Sequence, residues 1–142
     1  MNFLAGPAGI TGPLHGLAYF PGTITLSPFN RLKMKQFQSD LDINVLGAVR
    51  VLQHCLAELL KEGSSIVMFS TVAARIGMPY HASIAAAKAA VEGLVKSLAA
   101  EYASKNVRVN AVAPSLTDTP LAGRLLSTDD KRDKTAARLL DS

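Results

Sequence analysis

The 142-residue chain has no tryptophan, a single cysteine, and only three tyrosines and five phenylalanines. A lone Cys55 excludes an intramolecular disulfide and reads as a small core residue. His15, His54 and His81 stand far apart, and neither an HExxH nor a paired CxxC spacing occurs, so no metal is expected. No apolar run approaches the roughly 18 residues that a membrane span needs, so no membrane partner is expected. The opening MNFLAGPAGITGP lacks the basic start and long apolar stretch of a secretory signal, which reads as a cytoplasmic protein. Acidic residues are absent before Asp40.

What is present is ordinary globular stock: 49% of residues are hydrophobic and 18% charged. Fifteen basic residues against eleven acidic ones leave a net charge of +4. A surplus of that kind points to nucleic acid only when it is clustered. Here Arg31, Lys33 and Lys35 form one short run, while Lys131, Arg132 and Lys134 are mixed with Asp129, Asp130 and Asp133. No nucleic-acid partner is expected.

Residues 1–30 hold five of the ten glycines and four of the seven prolines and read mostly as loop, with a strand only at about Met1 to Leu4. A helix is predicted from about Met34 to Leu60, because Leu41, Val45, Ala48, Leu52, Leu56 and Leu59 form one apolar stripe. Gly63 ends it, and Ser65–Ser70 reads as a strand buried on both faces. A second helix is predicted over about His81 to Ala103, then a strand over Val107–Ala113 stopped by Pro114. Strands alternating with helices, without hairpin signals, give an α/β fold: a partial doubly wound parallel sheet of about three strands with two main helices. The expected organisation is a partial domain over 1–126 and a charged helical tail over 127–142.

The second helix carries two contrasting faces. Ile84, Ala87, Val91, Leu94, Val95, Leu98 and Tyr102 share one side, and Ala86, Ala89, Gly93, Ser97 and Ala100 share the other. The large side is expected to pack on the sheet and the small side to admit a second helix. Gly93 supports this, since a mid-helix glycine costs close to ~1 kcal/mol against alanine unless close packing offsets it.

Gly6-x-x-Gly9-x-x-Gly12 looks like a phosphate-cradling loop, but a strand must precede such a loop and a helix must follow it. Pro13 follows Gly12, and the acid expected about 20 residues on is missing, so the triplet reads as loop geometry.

A more specific pattern spans residues 42–120. Asp42-Ile-Asn44-Val-Leu-Gly47 lies on the first helix, Ser70-Thr71 ends the central strand, and Lys88 precedes Val91-Glu92-Gly93-Leu94 on the second helix. Arg108-Val-Asn110-Ala-Val-Ala-Pro114 and Thr117-Asp118-Thr119-Pro120 follow. In order and spacing these motifs resemble the C-terminal part of the short-chain dehydrogenase/reductase family, a Rossmann-fold group of NAD(P)-dependent oxidoreductases. The resemblance covers about residues 1–122.

It implies NAD or NADP as cofactor and a small-molecule carbonyl or alcohol as substrate. It makes Asn44 the helix asparagine whose local distortion holds a water in a proton relay. Thr71, 27 residues beyond Asn44, takes the place of the catalytic serine, with Ser70 as the alternative. Lys88 takes the place of the lysine that bonds the nicotinamide ribose. Pro114 and Thr119 match the loop whose threonine contacts the carboxamide, with Ser115 where the family usually has glycine. Members of the family commonly pair through the helix matching 81–103, so a homo-oligomer is expected.

Three departures stand out. The family's general-acid tyrosine falls four residues before the lysine, and that residue here is Ile84. A hydrocarbon neither donates nor accepts the proton that carbonyl reduction needs. Tyr80 lies one turn upstream, displaced by roughly 5 Å of helical rise. The family's Asn-Asn-Ala-Gly is matched to Phe3-Leu4-Ala5-Gly6. The glycine-rich cofactor turn has no counterpart, which reads as a truncated or degenerate form with impaired catalysis, or as a non-catalytic interaction module on the same fold.

Overall fold

The computed structural model describes residues 12–115 and Thr117. The predicted Met1–Leu4 strand, the tail over 127–142 and Thr119 lie outside the described residues. Three parallel strands form one sheet in the order β1-β2-β3: β1 is Gly16–Tyr19, β2 is Ser64–Phe69 and β3 is Val107–Val112. β2 and β3 are in register along their whole length, from Ser64 opposite Val107 to Phe69 opposite Val112. The α/β class, the parallel sheet and the two main helices are as the sequence predicts.

β1 is a correction. It lies inside the Gly/Pro-rich segment read as loop, and it pairs Gly16 to Tyr19 with Ser65 to Met68. Four residues between Pro13 and Pro21 are too few to leave a periodic signal, yet sheet pairing holds them extended. The segment leaving this strand is therefore Phe20-Pro21-Gly22, whereas Phe3-Leu4-Ala5-Gly6, matched above to the family's Asn-Asn-Ala-Gly, lies outside the described residues.

The first helix is three consecutive pieces: α1, Met34–Leu41; a π-helical stretch, Asp42–Leu46; and α2, Gly47–Leu59. Its buried stripe also differs from the predicted one. Asp40, Asn44, Ala48, Leu52, Cys55 and Leu59 are buried, whereas Leu41, Val45 and Leu56 are only half-buried. Three consecutive four-residue steps overshoot a 3.6-residue turn, and the wider π turn absorbs the excess. The first two members of the stripe are polar because that end of the helix faces the site rather than the core.

α3 runs Ala82–Tyr102 and matches its predicted bounds. With α2 it covers one face of the sheet. Ile66 and Met68 of β2 and Val107 and Val109 of β3 are buried against Leu52, Cys55 and Leu59 of α2 and Val91 and Val95 of α3. The opposite face is not covered among the described residues: Ser65, Val67 and Phe69 are half-buried and Val112 is 46% exposed. Of the two buried faces expected for β2, the described residues cover one, since an apolar run without alternation does not reveal which elements cover it. The small side of α3 is likewise open in this chain, with Ala86, Ala89, Gly93, Ser97 and Ala100 all exposed. Among the described residues no helix is long and apolar enough to cross a membrane.

Candidate active site

All three strands run the same way, so their C-terminal ends open into one region, where ligands of open α/β sheets bind. Phe20-Pro21-Gly22 leaves β1, Ser70-Thr71 leaves β2 and Ala113-Pro114-Ser115 leaves β3. Two backbone bonds hold the last two segments together: Ser70 N–H donates to the Val112 carbonyl at 2.8 Å, and Val72 N–H to the Pro114 carbonyl at 3.2 Å.

Lys88, on the second turn of α3, reaches this end of the sheet. Its Nζ donates to the carbonyl of Phe69, the last residue of β2, at 2.8 Å. Burial of the ammonium pushes the Lys88 pKa below the ordinary lysine value. Asn44 sits in the π stretch, almost fully buried, and its Nδ2 donates to the Asp40 carbonyl at 2.8 Å and to Thr23 Oγ1 at 2.9 Å. Its Oδ1 is buried and has no hydrogen-bond partner. Gly22 lies between the two groups: a Cβ there would sit 3.2 Å from Asn44 Oδ1 and 3.7 Å from Lys88 Nζ. A Cβ at this position would crowd the Asn44 oxygen, so glycine keeps the spot between acceptor and donor open.

Thr71 caps the short 3-10 turn Val72–Ala74, accepting at Oγ1 from Ala73 N–H at 3.3 Å. That bond uses a lone pair and leaves the hydroxyl proton free to donate. Ser70, the alternative, is committed elsewhere: its Oγ donates to Glu92 Oε1 at 2.7 Å. Ile84 is buried at 4% exposure in the first turn of α3. Tyr80 precedes the helix rather than extending it. Its backbone is left-handed at φ +69°, its carbonyl accepts from Ser27 N–H at 3.1 Å, and its side chain is 60% exposed.

Sequence reasoning missed several residues that support this region. Glu92 has no role of its own in the sequence analysis, yet it is buried, accepting from Ser70 and from Arg75 Nε at 3.1 Å. The pair fastens the segment carrying Thr71 onto α3. The Ser70 hydroxyl, with Arg75 and Lys96 behind it, holds the Glu92 carboxyl below the ordinary carboxylate value against the opposing effect of burial. A lowered folded value means stability that is present above the unfolded value and lost as pH falls through the folded one. Glu92→Gln keeps an amide oxygen for Ser70 and loses only the charge, so it is expected to cost about 1 kcal/mol or less at neutral pH, Arg75 adding little because it is largely exposed. Melts followed into acid should show the wild type losing that margin while the variant stays flat. Equal acid sensitivity of the two proteins would contradict it.

In sequence and fold the chain is similar to several known proteins. A family model described as enoyl-(acyl carrier protein) reductase matches residues 8–140. The chain is 31% identical over 138 residues to the inactive 2-(S)-hydroxypropyl-CoM dehydrogenase 2 of Xanthobacter autotrophicus, covering 96% of this chain and 60% of that protein. It superposes on a short-chain type dehydrogenase/reductase from Mycobacterium ulcerans with a TM-score of 0.80 at 27% identity, over 86% of this chain and 45% of that one. A protein from Beutenbergia cavernae described as an NAD(P)-dependent gluconate 5-dehydrogenase, with bound NADP, gives a TM-score of 0.85 at 27% identity, over 90% and 52%. Among curated relatives, the chain spans 42% of the length of a chlorinated cyclohexadienediol dehydrogenase from Sphingobium indicum.

Proposed function

The chain belongs to the short-chain dehydrogenase/reductase family, and on that premise we propose that it serves NAD(P)-dependent oxidoreduction of a small carbonyl or alcohol, through a site impaired by Ile84. The observation that carries the reading is the convergence of Asn44 Oδ1 and Lys88 Nζ on Gly22, beside the strand end from which Thr71 projects. An unpartnered buried acceptor next to an ammonium fits the ribose-and-nicotinamide end of a dinucleotide, which offers hydroxyls to both. Lys88 would hold the ribose, and Pro114 and Thr119 would border the carboxamide. A bound nicotinamide supplies or accepts the hydride. Thr71 donates a hydrogen bond to the substrate oxygen, its methyl group narrowing the space. Among the described residues neither Ile84, at the tyrosine's position, nor Tyr80, on an exposed turn, stands ready to deliver the proton.

The test is turnover in a chain that carries these residues behind a glycine-rich cofactor turn. NADH and NADPH oxidation by a panel of ketones and aldehydes should be slow and should vanish in Lys88→Met. Turnover indifferent to that substitution would remove Lys88 from the site.

A second reading rests on the open small side of α3, where a Cβ on Gly93 would meet nothing within 4 Å. It makes this helix the pairing surface of a homo-oligomer, whether or not the site turns over. Gly93→Leu is then expected to weaken self-association about tenfold or more, the effect of overfilling a close contact by one to two kcal/mol. Sedimentation at several concentrations measures it, and an unchanged association constant leaves only alanine's helix propensity to explain the composition.

A further inference from the structure

Asp40 is fully buried on α1, and no basic side chain lies within salt-bridge distance of it among the described residues. Three hydroxyls from two other segments surround it. Thr23 Oγ1 donates to Oδ1 at 2.6 Å, Thr25 Oγ1 to Oδ1 at 3.1 Å and Ser83 Oγ to Oδ2 at 2.6 Å. A buried carboxyl without a cation is costly, and it persists only where its hydrogen bonds are complete. Thr23 and Thr25 belong to the segment that follows Gly22, and Ser83 is the neighbour of Ile84 at the start of α3.

We propose that Asp40 is a positioning residue of the candidate site, setting the direction of the Asn44 amide through Thr23 and tying the start of α3 to α1 through Ser83. This rests on the reading of Asn44 as a site residue. The direction follows from counting protons. A threonine hydroxyl has one proton, and Thr23 gives it to Asp40. Toward Asn44 it can therefore only accept, and it takes one proton of Nδ2, while the other goes to the Asp40 carbonyl. Both amide protons point away from Gly22, and Oδ1 is left facing Lys88 Nζ across it. Were the carboxyl replaced by a hydrocarbon, the Thr23 proton would be free to turn toward Asn44 Nδ2, donor against donor, and the amide would keep only its bond to the Asp40 main-chain carbonyl. Asp40 thus acts on the amide twice: its main-chain carbonyl takes one proton of Nδ2, and its carboxylate, through Thr23, secures the acceptor for the other.

Hydrogen exchange of the Asn44 side-chain NH₂ in the ¹⁵N-labelled 142-residue chain tests this without cofactor or substrate, its signals assigned by their loss in Asn44→Ala. Thr23→Val and Asp40→Leu are expected to quicken that exchange by about tenfold, the upper worth of one hydrogen bond. Asp40→Asn, whose amide oxygen still accepts from Thr23, should stay within about twofold of wild type, as should Thr25→Ala, which leaves the path to Asn44 intact. Thr23→Val removes only a hydroxyl and decides the matter if Asp40→Leu does not fold. An unchanged rate in Thr23→Val overturns the proposal. So does Asp40→Asn or Thr25→Ala exchanging as fast as Thr23→Val, because Asp40 would then act only through general stability. Failure of the oxidoreductase reading shows separately, in turnover that ignores Lys88→Met.

Discussion

Ile84→Tyr, in a chain that binds the dinucleotide, is expected to raise the rate of carbonyl reduction by about 10²- to 10⁴-fold, the usual worth of a positioned general acid. Reduction puts a hydride on carbon and leaves charge on oxygen, and the barrier falls when a proton reaches that oxygen in the transition state. Ile84 lies in the first turn of α3, one helical turn before Lys88 and on the same side of the helix. A hydroxyl projected from this position would lie beside an ammonium, which favours the phenolate and so lowers the tyrosine's pKa toward neutrality. Burial of Ile84 at 4% exposure means that the larger ring must displace its neighbours. Overpacking of that kind costs about 1–3 kcal/mol of stability, so the variant should melt earlier while turning over faster. Opposite movement of melting temperature and rate is what separates gain of an acid from a general improvement in folding.

Titration of NAD or NADP into the 142 residues by themselves is expected to release no measurable heat. Micromolar affinity amounts to about 8 kcal/mol, and in dinucleotide folds much of it comes from the pyrophosphate seated on a helix N-terminus. The glycine triplet that resembles such a seat ends at Gly12, and the described chain from there continues through Pro13 into β1. Among the described residues no α-helix begins before Met34, and α1 leads away toward Asn44. On the proposed reading, Lys88, Pro114 and Thr119 would account at most for the nicotinamide end. Calorimetry showing micromolar binding would mean that the phosphates are held by residues other than a helix terminus.

The elements that sequence reading located are those whose own side chains carry the signal. β2 and β3 are apolar runs of strand length, and α3 repeats its large residues at helical spacing, so their bounds fell within a residue or two. β1 carries too little: Gly16, Leu17, Ala18 and Tyr19 become a strand because β2 offers them a partner. The π stretch over Asp42–Leu46 was anticipated only through the family resemblance, as a distortion around Asn44. Hydropathy also misjudged polar residues with buried partners. Asp40 and Glu92 look like solvated helix positions until Thr23, Ser83, Ser70 and Arg75 are brought beside them from segments 17 to 43 residues away. Asp40 did offer one signal, as the first acid in the chain and four residues before Asn44, which puts both on one side of a helix.

The most direct test of the impaired site is a comparison of Ile84→Tyr with Ile84→Phe in the same dinucleotide-binding chain, by initial rates of NADPH or NADH oxidation on one responsive ketone. The two variants place the same ring in the same space and differ by one hydroxyl. If loss of the proton donor is what limits the site, Ile84→Tyr gains about a hundredfold or more over the parent, while Ile84→Phe stays at or below it. Equal rates in the two variants would contradict this, because ring packing rather than proton delivery would then set the rate.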